Sequence, residues 1–368
     1  MLTIKKHKIY ILIVVILIFI ICSIGSKGEL VENLQIPIGV GVDTDPINTY
    51  KIPFLIYSFE EEDKITSIVV NGDGKSIGDT RQDRQLKSGT RSTIGLSRIF
   101  VFSEASATFG LRNFLDICIN NPQINDRAIC AVCIGKAKDI LEYNVKGYPN
   151  SAEFIEKMID NLQQYNFYPM QYTLIDLLVR VDTEGRNVLL PIIRIKDDII
   201  ETTGLAIFKK DKLVGKADVQ EARIINILKE NNVKGILTLQ KDSKKYINCS
   251  TVSKRKITCD KKNGKYKFVI TLDLKGNIVS NELYQNIQND PQVLKKFEED
   301  MKIYVEKMCN ESINKIKGEY KTDVLDLGRI AIAKYGRGTV SDWNKVICDS
   351  DIQVNVKFSV DTEGRGDL

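Results

Sequence analysis

Strict alternation of apolar and polar residues marks the strands of this chain. Residues 352–360 read Ile, Gln, Val, Asn, Val, Lys, Phe, Ser, Val, and residues 267–274 alternate with four apolar side chains on one face. A period of two is the pattern of a strand with one buried face. Further strands are predicted from alternating or short apolar runs at 36–42, 50–59, 96–102, 128–134, 188–195, 205–208, 213–215 and 236–239.

Turn residues between neighbouring runs predict two hairpins. The runs at 36–42 and 50–59 are separated by a polar segment, and those at 205–208 and 213–215 flank the turn sequence Lys-Lys-Asp-Lys. Proline at position 191 interrupts the run at 188–195. Because proline has no backbone N–H to donate to a ladder, this segment is predicted to be an edge strand.

Apolar residues spaced three and four apart mark the helices, most clearly at 291–317. Such a stripe fits a coiled-coil seam or a helix packed on its own sheet, and fewer than three clean heptads favour the sheet. The stripe consists of Leu294, Phe297, Met301, Tyr304 and Met308. Shorter helices are predicted at 106–119, 136–143, 151–164, 174–179 and 219–230, and residues 71–91 are predicted to be a loop or a solvated helix.

Strands and helices follow one another in the order expected of layered α/β proteins. We predict a mixed α/β (α+β) fold with several domains, in which mixed and antiparallel sheets pack with helices and a long helix lies in the C-terminal region. A chain of 368 residues exceeds the usual size of a single core. The predicted regions are 1–28, a signal peptide or membrane anchor, 29–200, an N-terminal α/β region that a boundary near 147 would split into two lobes, and 201–368, a C-terminal α/β domain.

The N-terminus has the composition of an export signal. Residues 5–8 are Lys, Lys, His and Lys, and about 14 residues of apolar sequence follow, ending at Cys22. This run is shorter than the roughly 20 residues that comfortably span a bilayer. Three interpretations remain open: an acylated Cys22 after cleavage, an uncleaved anchor, or a secreted soluble product. Under the positive-inside rule all three place the body outside the membrane.

Charge and histidine content exclude several classes of function. The chain has 53 basic and 48 acidic residues, interspersed, so we expect no nucleic-acid partner. The lysine-rich stretches at 241–256 and 261–267 are interpreted as solvated faces or hairpin edges. The single histidine, His7, lies in the export segment. The body therefore lacks the residue needed for His-activated nucleophiles and His-ligated zinc.

No sequence motif indicates catalysis. There is no phosphate-binding loop, nucleophile elbow or zinc pattern. Cys130 and Cys133 form a CxxC inside a predicted strand, where residues three apart point to opposite faces, so they are interpreted as small buried apolar residues. We therefore predict no catalytic, cofactor-binding or metal-binding residue. The chain is predicted not to be an enzyme, with an extracytoplasmic solute-binding protein as the alternative and a two-carboxylate glycosidase third.

One hexapeptide, Val-Asp-Thr-Glu-Gly-Arg, occurs twice, at 181–186 and 360–365. With no wider similarity around the copies, chance repetition of turn residues is the favoured interpretation. The carboxylates Asp182, Glu184, Asp361 and Glu363 lack the dense oxygen-ligand spacing of a calcium loop.

Several segments resemble the Ger(x)C family, the C (lipoprotein) subunits of spore nutrient-germinant receptors. The most specific is Gly204-Leu-Ala-Ile-Phe-Lys-Lys-Asp-Lys-Leu-Val-Gly215, which resembles the hairpin opening the family's C-terminal region. Asp323-Val-Leu-Asp-Leu-Gly328 and Trp343 are similar to that region's end. The other similar segments are 27–34, 39–43, 95–101 and 135–142.

The resemblance implies a multi-domain α/β protein without catalysis, on the outer face of the spore inner membrane, beside the integral-membrane A and B subunits. It also implies a lipid on Cys22. The chain departs from the family there, because Phe, Ile and Ile precede the cysteine where a small residue is preferred, and Ser23 follows it where the family has tryptophan.

Overall fold

The computed structural model describes residues 12–20, 34–45, 49–59, 65–170 and 172–361. Its first element is a helix at 12–20 (α1), all of whose side chains are exposed. A two-residue parallel pair follows, formed by Leu34–Gln35 (β1) and Arg91–Ser92 (β5).

An eight-stranded mixed sheet forms the first layer, in the order β10-β9-β8-β7-β6-β2-β3-β4. Its strands are Pro37–Thr44 (β2), Tyr50–Phe59 (β3), Ile65–Gly74 (β4), Ile99–Ser103 (β6), Ile129–Cys133 (β7), Leu189–Lys196 (β8), Ile199–Lys209 (β9) and Lys212–Asp218 (β10). The central strands β2, β6, β7 and β8 run parallel, and antiparallel hairpins flank them. Buried parallel strands read as continuous apolar runs, as the Ile-Phe-Val-Phe of β6 does.

Helices cover both faces of this sheet. One face carries Glu104–Phe109 (α3), Arg112–Ile119 (α4) and Leu174–Asp182 (α7), and Ile77–Leu86 (α2) lies on β3 and β4. The other face carries Ala137–Glu142 (α5), Ser151–Tyr165 (α6) and Val219–Lys229 (α8). Cys130 faces the first core and Cys133 the second, so the prediction that they point to opposite faces is confirmed.

A four-stranded sheet forms the second layer. Its strands are Lys234–Asp242 (β11), Lys245–Lys262 (β12), Lys265–Asn281 (β13) and Asp351–Val360 (β14), in that order, with β14 parallel to β13. Its helices are Pro291–Lys315 (α9), Leu327–Tyr335 (α10) and Trp343–Asp349 (α11), with a π-helical turn at Ile316–Tyr320. Helix α8 contacts both sheets, so one core runs through both layers.

The long helix α9 packs on its own sheet. It lies against β14 and buries Phe297, Met301, Val305 and Cys309, which confirms packing on the sheet rather than a coiled-coil seam. Tyr304, part of the predicted stripe, is 37% exposed. Phe297 and Met301 are buried as predicted, and beyond them the buried positions, Val305 and Cys309, lie one residue after the predicted Tyr304 and Met308.

The prediction that 188–195 is an edge strand was wrong. Strand β8 lies between β9 and β7. Its ladder with β7 pairs only Ile192 and Ile193, with Val132 and Cys133. Pro191 comes just before this short ladder, so it removes no hydrogen bond there.

The helix predicted at 106–119 is two helices. The chain turns at Gly110, whose φ of 125° is open to glycine and strained for other residues. The N–H groups of Leu111 and Arg112 then donate to the carbonyl and carboxylate oxygens of Asp211, at 3.0 and 3.2 Å. The β9–β10 turn, where Asp211 lies, thus fixes where α4 begins.

The predicted boundary between residues 200 and 201 lies inside β9, in a hairpin that belongs to the same sheet as the strands before it. The division at this place stays a prediction, as does a further boundary near 147.

Candidate functional site

A cleft of about 1100 Å³ opens between α2 and α4, on one face of the eight-stranded sheet. Strands β2, β3 and β6 supply its apolar floor, and Phe114, Ile117 and Cys118 of α4 form one wall. The opposite wall is α2 with the segment that follows it. The floor residues are Val40, Ile52, Phe54 and Phe100.

Local sequence signals place α2 beside the floor. Ser76 and Asp79 form a capping box, since each side chain accepts a hydrogen bond from the other residue's backbone N–H. In β4, a Cβ atom on Gly72 would collide with the carbonyl oxygen of Thr80 and the guanidinium of Arg84. Glycine at this position therefore lets α2 approach closely and carry Arg84 over the sheet.

Arg84 is the buried cation of the cleft and is 8% exposed. Its Nη1 donates to the carbonyl oxygen of Ile52 at 2.9 Å, and its Cζ lies 3.8 Å from the centroid of the Phe54 ring. Burial, with a further contribution from the charge of Arg81, lowers the pKa of Arg84 to about 10. Among the described residues no carboxylate forms an ion pair with Arg84, so this cation lacks a counter-ion from them.

Two further arginines, Arg81 and Arg91, line the same cleft and are exposed. The carboxylate that lines it is Asp116 on α4, 3.9 Å from Arg112. Charged lining groups are thus mainly cationic, over an apolar floor. Such a site suits an anionic group attached to an apolar body.

A second concentration of buried polar groups joins α7 to the helices of the second sheet. We call it the junction and define it by Arg180, Glu184, Gly185, Lys229, Asp323 and Asp326. The first copy of the repeated hexapeptide, 181–186, lies in it.

The acids of that first copy accept hydrogen bonds from the chain itself. Asp182 takes two from Arg112, at 2.7 and 2.9 Å, and Glu184 takes one from the Trp343 indole N–H at 2.8 Å. Among the residues that the structure describes, no group of three ligands could hold a metal ion. In the second copy, Glu363 lies outside the described residues.

Asp326 anchors two cations in the junction. Arg180 Nη1 and Lys229 Nζ lie 2.7 and 3.0 Å from its Oδ2, and all three side chains are at most 14% exposed. Burial would raise the pKa of Asp326, but Lys229 and Arg180 outweigh it and lower the pKa to about 2. The cluster is therefore an ionised triad, and Lys229 has a second anionic partner in Glu230, 3.1 Å away.

Asp323 lies beside this triad and is fully buried. It accepts hydrogen bonds from the N–H groups of Leu325, Leu327 and Gly328 at 3.2, 3.1 and 2.7 Å. Burial raises its pKa to about 7, and the hydrogen bonds only partly offset this.

The described cysteine thiols are poor nucleophiles. Burial raises the pKa of every one, in Cys348 to about 11 and in Cys309 to about 12. Since the thiolate is the reactive form, these residues serve as apolar side chains.

The predicted lipidation residue, Cys22, lies outside the described residues. The preceding helix α1 consists of apolar side chains that are 47–71% exposed. Among the described residues, no helix combines the length and apolarity needed to cross a membrane.

Sequence reasoning missed both Arg84 and the junction. A capping box and a nearby glycine pair, Gly72 and Gly74, were visible signals that a helix packs closely at 77–86. The triad had no local signal, because Arg180 and Asp326 are 146 residues apart.

Comparison with known proteins gives matches along nearly all of the chain. A family model described as "Spore germination protein N-terminal domain" matches residues 28–195, and one described as "Spore germination B3/GerAC like, C-terminal" matches 203–364. Spore germination protein GerQC of Bacillus cereus is 23% identical over 340 residues, which is 92% of each chain. Spore germination protein B3 of Bacillus subtilis is 21% identical, over 90% of this chain and 91% of that protein.

A solved structure, the crystal structure of the GerBC protein, has a similar fold. Its TM-score is 0.57 at 16% identity, covering 88% of this chain and 96% of that one. The likeness confirms the predicted mixed α/β fold. With both halves of the sequence matched by models of one group of proteins, the resemblance is confirmed and the chain belongs to the Ger(x)C family of spore germination proteins.

Proposed function

We propose that this chain is the C subunit of a spore germinant receptor. It would be a non-enzymatic subunit, anchored at the outer face of the spore inner membrane and required for the germination response to nutrients. The observation that carries the proposal is the match of two consecutive family models to 28–195 and 203–364. Its partners would be the integral-membrane A and B subunits, with no nucleic acid.

The helix α1 supports anchoring. Its nine residues, 12–20, are all apolar and at least 47% exposed. A continuous apolar surface of this kind is normally covered by lipid or protein. An uncleaved apolar segment and an acylated Cys22 would both hold the body at high local concentration beside membrane partners.

The side chains of the body support a role without catalysis. Histidine occurs only at position 7, in the export segment, and burial raises the pKa of the described thiols. Two common routes to an activated nucleophile, a His base and a stabilised thiolate, therefore have no support in these residues. Receptor assembly requires neither.

Membrane fractionation and intact-mass analysis of the native protein test the proposal. We expect the chain in the spore membrane fraction, together with two multi-pass membrane proteins. A mature N-terminus at acylated Cys22 would identify the lipid anchor, and a chain that retains α1 would identify the uncleaved anchor.

Replacement of Cys22 separates the two anchors. If the residue is acylated, Cys22→Ala should abolish the added lipid mass and impair nutrient germination, whereas with an uncleaved anchor it should be silent. Cys348→Ala is the matched control, because Cys348 lies in α11 of the folded body.

A second candidate function, an extracytoplasmic solute-binding protein, is favoured by the cleft between α2 and α4. The two functions differ in their partners. Two results together would replace the receptor proposal with this one. The chain would purify alone, soluble and unmodified, and spores that lack it would germinate normally.

A further inference from the structure

The cleft between α2 and α4 has the dimensions of a small-molecule site. Its volume of about 1100 Å³ lies just above the usual range for ligand pockets, roughly 300–1,000 Å³. Most of its lining is apolar, from the floor residues and from Ile94, Ile117 and Ile124. An apolar body could therefore displace water from much of its surface at a gain in free energy.

Arg84 supplies a charge that forms no ion pair with the described chain, and the neighbouring Asp83, which pairs with Lys87, compensates it only in part. It is more than nine-tenths buried, yet its side chain makes one hydrogen bond with the described residues, to Ile52. A guanidinium has five N–H donors, and a buried cation is costly without a partner anion. The remaining donors are thus available to a ligand.

Arg81 adds a second positive charge one helical turn before Arg84. Its side chain also lines the cleft, and its charge acts against that of Arg84. An anion bound near both would relieve this repulsion. Residues three apart on a helix share one side, which places the two charges on the same wall.

We propose that this cleft binds a small organic monocarboxylate whose body is aliphatic or aromatic. The carboxylate pairs with Arg84, Arg81 adds attraction, and the apolar body lies on the Phe54 and Phe100 floor. The apolar floor disfavours polyphosphates and other highly charged anions. This site belongs to the folded body and does not depend on how the N-terminus is anchored.

Binding of 3-phenylpropionate to the purified full-length chain tests the proposal, with 3-phenylpropionamide as the uncharged analogue. Calorimetry or saturation-transfer NMR measures both. Because a charge-assisted hydrogen bond contributes about 1.5–3 kcal/mol, the carboxylate should bind about tenfold or more tightly than the amide. Equal binding, or none by either probe, would overturn the proposal.

Variants locate the site. Arg84→Met retains an unbranched side chain but removes the charge, and it should weaken carboxylate binding about tenfold. Arg81→Gln should weaken it a few-fold. Arg98→Gln is the matched control, since Arg98 pairs with Glu156 on the other face of the sheet. Unchanged affinity in both cleft variants would assign the binding elsewhere. Should Arg84→Met fail to fold, Arg81→Gln and the comparison with the amide still test whether the cleft binds the carboxylate.

Discussion

Arg84 and Arg180 are both buried, but their electrostatic surroundings differ. Burial alone would lower the pKa of each. For Arg180 the nearby Asp326 outweighs burial and raises the pKa, whereas for Arg84 burial and Arg81 act together and lower it to about 10. The described chain compensates Arg180 with its own carboxylate and leaves Arg84 facing a cleft. A buried charge with an internal partner indicates structure, and one without indicates a place for a ligand.

Removing the negative charge of Asp326 should have the largest effect on stability. Asp326 has a φ of 56°, which Asn tolerates as well as Asp, so Asp326→Asn changes the charge with little effect on the backbone. Arg180 would then lie buried without its ion-pair partner, and Lys229 would keep its second partner, Glu230, at 3.1 Å. We expect the free energy of unfolding to fall by about 3–5 kcal/mol in urea denaturation.

Asp260→Asn is the control for this experiment. Asp260 pairs with Lys334 at 2.9 Å, but both side chains are more than half exposed. Its replacement should change stability little, because exposed pairs contribute little. Equal losses of unfolding free energy in the two variants would mean that the buried triad stabilises the fold no more than a surface ion pair does.

The close backbone approach at the junction should give the next largest effect. Gly185 has a φ of 70°, and a Cβ there would lie 2.7 Å from the carbonyl carbon of Gly328. Gly185→Ala should therefore cost about 2–4 kcal/mol from strain and overlap together. Gly147→Ala, with a φ of 83° and open space around it, should cost only about 1 kcal/mol. If calorimetric melting shows the same loss of stability for both variants, a Cβ at position 185 does not overlap with Gly328 as the structure indicates.

Replacing the uncompensated arginine should cost much less than replacing Asp326. Arg84→Met loses the hydrogen bond to Ile52 and the contact with Phe54, but it also removes a buried charge that lacks a counter-ion. We expect a loss of about 1 kcal/mol or less in urea denaturation. A loss as large as that of Asp326→Asn would make Arg84 a structural residue and remove the contrast between the two arginines.

A dependence of stability on pH should come from Asp323. Its folded pKa of about 7 lies above its ordinary 3.8, so between these values the folded state binds a proton that the unfolded state has lost. Its contribution is therefore fully present below about pH 4 and is lost as the pH rises towards 7. Asp326, with a pKa of about 2, titrates below this window.

Asp323→Asn isolates this contribution, because asparagine does not titrate. The free energy of unfolding of the native chain minus that of the variant should fall between pH 4.5 and pH 7.5, whatever the absolute cost of the substitution. A difference that stays constant or rises with pH would show that Asp323 is ionised throughout.

Local patterns predicted the elements whose neighbours are close in sequence. The alternation at 267–274 correctly placed Phe268, Ile270, Leu272 and Leu274 on the buried face of β13, and the spacing of the two cysteines correctly divided them between two cores. Both results depend on the period of a strand alone. Both hairpins formed as predicted for the same reason.

Features that depend on residues far apart in sequence were predicted wrongly or not at all. Pro191 indicated an edge strand, since the sequence could not show that its ladder to β7 begins one residue later. The polar stretch 71–91 left two alternatives, and the structure has the end of β4 followed by α2 there. Arg84 lies among other charged residues, and only packing across the sheet distinguishes it from them.

The sequence by itself determined the strand and helix periods, the membership of the family and the lack of histidine in the body, because these depend on composition and on neighbours a few residues apart. Only the tertiary structure decided which arginine has a counter-ion. Arg84 meets Ile52 from 32 residues away and Arg180 meets Asp326 from 146. The charge on a buried group is set by what lies around it in space, and the chain brings those groups together only when it folds.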